Sequence, residues 1–114
     1  MDILQILKIV AAVGTLATGL YALVRPRAIQ GFTGLTAPAV RGITELRAVM
    51  GGGFIGLGIA PLLLGTAAAY QMLGILYVAI AAVRAVSMVV ESSWEKSNVI
   101  SLVVEIVFGL VLVL

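Results

Sequence analysis

The sequence predicts an all-α integral membrane protein built as a four-transmembrane-helix bundle, and two features of its composition lead to this prediction. Of its 114 residues, 62% are hydrophobic and only 11% are charged, whereas soluble domains carry about 25% charged residues. The apolar residues also form runs long enough to cross a bilayer, which is typical of transmembrane helices. We therefore expect residues 1–114 to form a single membrane domain with the lipid bilayer around it.

The first two spans are predicted over residues 3–24 and 43–64. The first apolar run ends at Arg25-Pro26, because proline disfavours helical geometry in the residue before it. The second run starts among charged residues and becomes continuously apolar after its first turn. The tight, uncharged turn at residues 65–67 then predicts that the second and third spans are antiparallel neighbours.

The third and fourth spans are predicted over residues 68–90 and 93–114. The fourth apolar run is short if it is counted from its first valine. A start at Ser93 makes this helix about 33 Å long at about 1.5 Å per residue, which is enough to cross the bilayer. Ser92 and Glu95 fit a capping box for that start, in which each side chain bonds the backbone near the other.

The segment between the first two spans is the only long connection. It alternates Ile29, Phe32 and Leu35 with prolines and glycines. Two interpretations are open: the segment is partly helical and lies on the membrane surface, or it is a solvated loop.

The distribution of basic residues predicts the orientation, because cytoplasmic connections are enriched in lysine and arginine. The connections after the first and third spans lie on one side of the membrane and carry Arg25, Arg27, Arg41 and Lys96. The other side, which holds both termini and the turn between the second and third spans, offers only Lys8. We therefore expect a multi-pass protein of the cytoplasmic (inner) membrane with both termini outside.

Missing residue types exclude several kinds of site. The chain has no cysteine and no histidine, so disulfides, thiolate ligands and imidazole ligation of haem or zinc are excluded. We accordingly expect no cofactor and no metal site, and the lack of a histidine base favours a non-enzymatic role. The formal net charge of +2 provides no basic face of the size that nucleic-acid binding needs.

Four charged residues fall inside the predicted spans: Glu45, Arg47, Arg84 and Glu105. An ionisable side chain in hydrocarbon is costly unless it is paired or hydrated, so each is a candidate for function. Arg84 and Glu105 lie about 10 Å from the cytoplasmic ends of their helices, and we predict that they pair across helices. Glu45 and Arg47 are shallower and on different faces. Each is expected to pair with an opposite charge on another face or on a partner, or to extend to the membrane interface.

The helical spacing of the other polar residues defines the candidate site. Tyr77 and Arg84 fall on one face of the third span with Ser87 alongside, and Tyr21 belongs to a similar stripe on the first span. Two roles are open for such a cluster, since it either locks the helices in register or lines a ligand site. The candidate residues of this ion-pair or ligand-binding cluster are Arg84, Glu105, Arg47, Glu45, Tyr77, Tyr21 and Ser87.

Glycines on the second span are predicted to pack helices together. Gly52 and Gly56 fit the small-xxx-small pattern that lets two helices approach closely, and Gly51 belongs to a second stripe of the same helix. Such a pattern serves packing within one chain as often as association of two chains. A homo-oligomer or a partner membrane subunit is therefore a second interpretation.

Several short strings together resemble an uncharacterised bacterial family of small four-helix membrane proteins that carries a Glu-x-Arg-Ala-x-x-Gly-Gly motif. The strings are Glu45–Gly52, Arg25-Pro26, Arg84–Ser87, and Glu105 followed by Gly109. More loosely, the chain is similar to the DoxX-like group. The resemblance implies a four-helix fold and marks the same four charged residues, and it implies no activity. The chain departs from the family pattern after the third span, where Glu91-Ser92-Ser93 replaces an Asp-Gly turn.

Three classes of function follow from these observations. The first is a non-enzymatic protein whose polar cluster has a structural role or binds a small amphipathic ligand, a lipid or a partner subunit. The alternative is a small proton-coupled transporter in which Glu105 exchanges a proton. Less favoured is a membrane-embedded isomerase or hydrolase that uses Glu45 and Glu105 as acid and base.

Overall fold

The protein consists of helices only, and the computed structural model describes all 114 residues. The α-helices are α1 (Ile3–Val24), α2 (Pro26–Thr33), α3 (Val40–Glu45), α4 (Phe54–Leu64), α5 (Ala67–Glu91) and α6 (Lys96–Val113). A π-helical segment, Leu46–Gly53, joins α3 to α4 in one continuous helix, which we call the second span. The second span, α1, α5 and α6 are each long and apolar enough to cross a membrane. The chain is therefore an all-α, multi-pass membrane protein, as the sequence predicts.

The outer faces of the bundle are strongly apolar. Only 19 of the 114 residues are buried by the protein itself. Large aliphatic side chains such as Val10, Val86 and Leu110 are more than half exposed. Water would penalise so much exposed apolar surface, so these faces are the ones that lipid covers.

Helix α1 lies directly against the second span because two glycines remove the side chains that would separate them. A Cβ atom on Gly58 would lie 2.5 Å from the backbone nitrogen of Leu16. A Cβ atom on Gly19 would lie 2.5 Å from the backbone nitrogen of Ile55. Neither position can hold a side chain unless the helices move apart, so both glycines fix the helix spacing.

The three glycines of the second span that the sequence predicts to pack helices together have different environments. Gly51 is buried, and a Cβ atom there would lie 3.2 Å from the backbone of Leu23 on α1. A Cβ atom on Gly52 would meet only the backbone of Arg47, one turn earlier in the same helix, and one on Gly56 would meet nothing. Within the chain, the packing prediction is therefore wrong for Gly52 and Gly56, because both face away from the other helices.

The buried core occupies the half of the bundle nearer the two chain termini. It is formed by Ala11, Ala12, Leu73, Tyr77 and Leu112. The small alanines of α1 allow α5 and α6 to approach that helix. The opposite half contains the α5–α6 connection, the C-terminal end of α1 and the whole of α2. We call this opposite half the loop end of the bundle.

The connection between α5 and α6 differs from the sequence prediction. Ser92 adopts a left-handed backbone conformation with φ of 52° and ends α5. Helix α6 begins at Lys96 rather than Ser93, and its N-terminus has no side-chain cap. The predicted capping box is therefore wrong: the carboxylate of Glu95 accepts a hydrogen bond from the Ser93 hydroxyl instead of reaching the backbone of Ser92.

The long connection after α1 contains a helix, in agreement with the partly helical interpretation. Pro26 occupies its first turn, where proline is tolerated because the missing N–H has no helical partner. Gly34 ends α2 with a left-handed φ of 77°. Ile29 is buried against the bundle, so α2 is packed onto the loop end rather than detached from it.

Candidate functional site

A bidentate ion pair joins α5 to α6 at the loop end. Arg84 Nε donates a hydrogen bond to Glu105 Oε1 at 2.7 Å, and Arg84 Nη2 donates one to Glu105 Oε2 at 2.8 Å. Such a fork-to-fork arrangement gives geometric specificity as well as charge-assisted strength. Arg84 and Glu105 are thus in direct contact, and the polar stripes of the sequence place these two side chains opposite each other.

Asn98 completes the contacts of this guanidinium. Arg84 Nη1 donates to Asn98 Oδ1 at 2.9 Å. Asn98 and Glu105 lie two turns apart on α6, and this spacing puts both on the face that meets α5. The sequence places Asn98 on the same stripe as Glu105, but it gives no sign that the amide would bind the arginine.

The polar network continues from the ion pair into the α5–α6 connection. Asn98 Nδ2 donates to the carbonyl oxygen of Ser93 at 3.2 Å and to its hydroxyl at 3.1 Å. The Ser93 hydroxyl in turn donates to Glu95. This hydrogen bond holds the pKa of the Glu95 carboxyl below its ordinary value. An unbroken chain of hydrogen bonds therefore runs from Glu105 to the exposed carboxylate of Glu95 in the α5–α6 connection.

The two ends of the ion pair differ in accessibility. The Glu105 side chain is 10% exposed, whereas the Arg84 side chain is 32% exposed. Arg84 uses three of its five N–H groups in the contacts above. The remaining two are free of protein partners, so the guanidinium can donate to another molecule while it still holds Glu105.

A cavity of about 900 Å³ lies at the loop end between α2, α5 and α6. Its apolar end is formed by Ala79, Ile80 and Val83 of α5, together with Met50 of the π-helical segment. The C-terminal end of α2 contributes further lining residues, among them Phe32. Met50 and α2 lie far from α5 in the sequence, so the cavity exists only because of the tertiary packing.

The same cavity becomes polar toward the α5–α6 connection. Arg84 lies at the middle of the wall, and the lining then continues with hydroxyl, amide and carboxylate groups. These polar lining residues are Ser87, Glu91, Ser93, Glu95, Ser97, Asn98 and Ser101. Helical spacing places Ser87 beside Arg84 and Ser101 on the stripe of Asn98, and both line the cavity, whereas Ser93 and Ser97 carry no comparable signal of a site in the sequence.

Tyr77 lies apart from this cavity, in the core near the chain termini. Its ring meets that of Phe108 edge to face, with a centroid distance of 5.6 Å, and its hydroxyl lies 2.5 Å from that of Thr15. Thr15 also donates to the carbonyl oxygen of Ala11 at 2.8 Å. Since a threonine hydroxyl has one proton, the Tyr77 hydroxyl is the donor in the tyrosine–threonine bond. Tyr77 therefore ties α5 to α1.

Three other candidates lie outside the cavity. Tyr21 is 51% exposed on α1. Glu45 forms an exposed salt bridge with Arg41, one turn earlier on α3, and Arg47 is exposed beside a smaller cavity near Arg25. Of the two alternatives for Glu45, pairing with an opposite charge on another face or on a partner is wrong, because Arg41 at helical spacing on the same helix already binds its carboxylate.

The separation of the two glutamates also bears on acid–base chemistry. Glu45 lies on the surface of α3, and Glu105 is buried between α5 and α6. Neither lines the large cavity. A general acid and a general base must both reach one substrate, so the structure does not bring these two carboxylates together for such a role.

Comparison with known proteins places the chain in a family. The family model described as "Domain of unknown function (DUF4345)" matches residues 3–114. The chain belongs to this family. No curated protein and no solved structure matches it. Since the match covers all the helices, it includes Arg84, Glu105 and the whole lining of the cavity.

Proposed function

We propose that this protein is a non-enzymatic membrane protein that binds a small amphipathic molecule or lipid in the cavity between α2, α5 and α6. One observation carries the proposal: a single cavity passes from an apolar wall at Ala79 to the fixed polar network of Arg84. Ligand sites combine an apolar lining with a few polar groups held in place. An amphipathic molecule has an apolar tail that matches the apolar wall and a polar head that matches the polar groups.

The size of the cavity suits this role. Its volume of about 900 Å³ is near the upper end of the roughly 300–1,000 Å³ range of small-molecule sites. Along α5, the lining extends from Ala79 to Glu91, a distance of about 18 Å at about 1.5 Å per residue. A single alkyl chain of moderate length with a polar head fits this space.

The state of Arg84 supports binding of an uncharged acceptor group at the middle of the cavity. Its charge is already balanced by Glu105 in a bidentate pair, so the guanidinium adds little net attraction for an anion. Its two free N–H groups still require acceptors. A hydroxyl, ether or carbonyl oxygen of a ligand meets this requirement.

The position in the cell is part of the proposal. The asymmetry of Arg25, Arg27, Arg41 and Lys96 supports a loop end facing the cytoplasm and both termini outside. This asymmetry also supports a location in the inner membrane, together with the resemblance to a bacterial family and the looser likeness to DoxX-like proteins. The mouth of the cavity would then open near the cytoplasmic leaflet.

A photo-crosslinking experiment tests the proposal. The purified protein in liposomes is labelled with a dodecanol that carries a diazirine in its chain, and the modified peptides are mapped. Labelling is expected at Met50 and Val83, because both line the apolar end of the cavity. In Ala79→Trp the added indole fills that end, and labelling of these residues should fall at least about fivefold.

The control for this experiment is Ala82→Trp, the same substitution on the same helix. Ala82 is exposed and does not line the cavity, so labelling at Met50 should persist. Two results would overturn the proposal. One is equal labelling of the native protein and Ala79→Trp, and the other is an equal loss of labelling in Ala79→Trp and Ala82→Trp. Either would show that the probe reports general contact with lipid.

A further inference from the structure

The charge at the mouth of the cavity points to a particular class of ligand. Two carboxylates, Glu91 and Glu95, line the cavity at its polar end, and neither takes part in a salt bridge. Arg84 is the only cation in the lining, and it is bound to Glu105. The lining therefore carries two negative charges without counter-charges.

These two charges lie at the right place to meet a head group. Glu91 is the last residue of α5, and Glu95 immediately precedes α6. Both are exposed, so they lie where a polar head can remain hydrated. The apolar wall at Ala79 and Ile80 lies about 18 Å and about 17 Å below Glu91 along the helix axis, in the position of an alkyl tail.

We propose that the cavity selects a single-chain amphiphile with a cationic head, whose charge is placed between Glu91 and Glu95 while its tail lies against the apolar wall of α5. This inference rests on the proposed binding function and adds the charge of the ligand. An anionic head would meet two like charges at the same position, and a neutral head would gain only hydrogen bonds.

The expected selectivity is modest because the mouth is exposed to water. A unit charge about 4 Å from one carboxylate in water gains about 1 kcal/mol, which corresponds to about fivefold in affinity. We therefore expect a cationic head to bind about fivefold or more tightly than a neutral head on the same chain. The advantage should shrink at about 1 M salt, where exposed charges are screened within about 3 Å.

A competition experiment tests the charge selectivity. The diazirine-dodecanol label is displaced by dodecyltrimethylammonium, dodecanol or dodecyl sulfate, each at equal mole fraction in the liposome. These competitors have the same chain and permanent positive, zero and negative head charges. Displacement is expected in that order, and Glu91→Gln/Glu95→Gln should remove the advantage of the cation over dodecanol.

The outcomes separate this inference from the binding proposal. Glu45→Gln is the matched control, since it removes an exposed carboxylate of the loop end that does not line the cavity, and the order of competitors should stay the same. If dodecyl sulfate displaces the label as well as the cation does, or the double variant keeps the preference, the charge inference is overturned and the binding proposal stands. If no competitor displaces the label, binding itself is overturned.

Discussion

Arg84 performs two tasks with one side chain. It satisfies both oxygens of the buried Glu105, and it presents a partly exposed edge to the cavity. A lysine could not do both, because its ammonium is a point charge without the planar fork that matches a carboxylate. The residue therefore connects the stability of the α5–α6 pair to the chemistry of the cavity.

The first prediction concerns the energy of this pair. Arg84→Met leaves Glu105 as an uncompensated buried charge, so we expect the free energy of unfolding to fall by about 1–3 kcal/mol, less than for a fully buried pair because the guanidinium is partly exposed. Glu105→Leu in the same chain removes the stranded charge and should restore most of the loss. Denaturant titration of the single and double variants measures the coupling energy.

The exposed pair of Arg41 and Glu45 is the matched control for this cycle. Both side chains are more than half exposed, and ion pairs at this spacing on a helix surface contribute about 0.3–0.5 kcal/mol. Replacing either residue by alanine should change stability little. Equal coupling in the two cycles would contradict the assignment of Arg84 and Glu105 as a protected pair.

At the scale of the elements, the second span is set against α1 by glycines that the small-xxx-small pattern did not identify. Gly58 contacts the backbone of α1 directly, whereas Gly56, two residues earlier on the same helix, faces away from the other helices. Two glycines only two positions apart on one helix therefore have opposite environments, and the pattern of small residues alone does not say which face is covered.

The second prediction follows from this contrast. Gly58→Val places a branched side chain where the backbone of Leu16 lies, so the helices must separate and stability should fall by about 1–3 kcal/mol. Gly56→Val adds the same atoms in open space and should change stability by less than about 0.5 kcal/mol. Comparable losses in both variants, measured by unfolding in detergent, would contradict this packing arrangement.

The π-helical segment lets the second span contact α1 at one position and line the cavity at the next. Its wider turns include three consecutive glycines, residues 51–53, and π-helical segments are frequently found at functional sites. Gly51 meets Leu23 of α1, while Met50, the residue before it, lines the cavity. The two stripes of small and charged residues on the second span predict neighbours on both sides of this helix, but regular α-helical periodicity contains no sign of the π-helical turns.

At the scale of the whole molecule, the bundle is divided into two parts. The core around Leu73 and Tyr77 closes the half near the termini, and the cavity opens in the loop-end half. A binding protein requires only one opening of this kind. A transporter must also expose its site on the other side, which in this bundle would require the core around Tyr77 to open.

The third prediction tests the transporter alternative. If Glu105 couples transport to protons, a pH gradient should drive uptake of dodecyltrimethylammonium into proteoliposomes, and Glu105→Gln should abolish it. We expect no gradient-driven uptake in either protein, because both oxygens of the Glu105 carboxylate are held by Arg84 and Glu105 does not line the cavity. Uptake that requires Glu105 would replace the binding proposal with the transporter.

Four membrane-spanning helices and the contact between Arg84 and Glu105 follow from the sequence without knowledge of the fold. Apolar runs of bilayer length leave no other arrangement for the backbone, since every polar group of the main chain must be satisfied inside the helix. The high cost of isolated charges in lipid likewise singled out Arg84 and Glu105 as partners on facing stripes.

The helix faces that meet and the position of the cavity depend instead on how the helices pack together. Tyr77 lies on the same sequence stripe as Arg84, but the close approach of α1 through its alanines turns Tyr77 into a core residue bonded to Thr15. The cavity depends on α2 and on Met50, which are distant in sequence from α5. Periodicity describes one helix at a time, whereas a cavity is formed by the space that several helices leave between them.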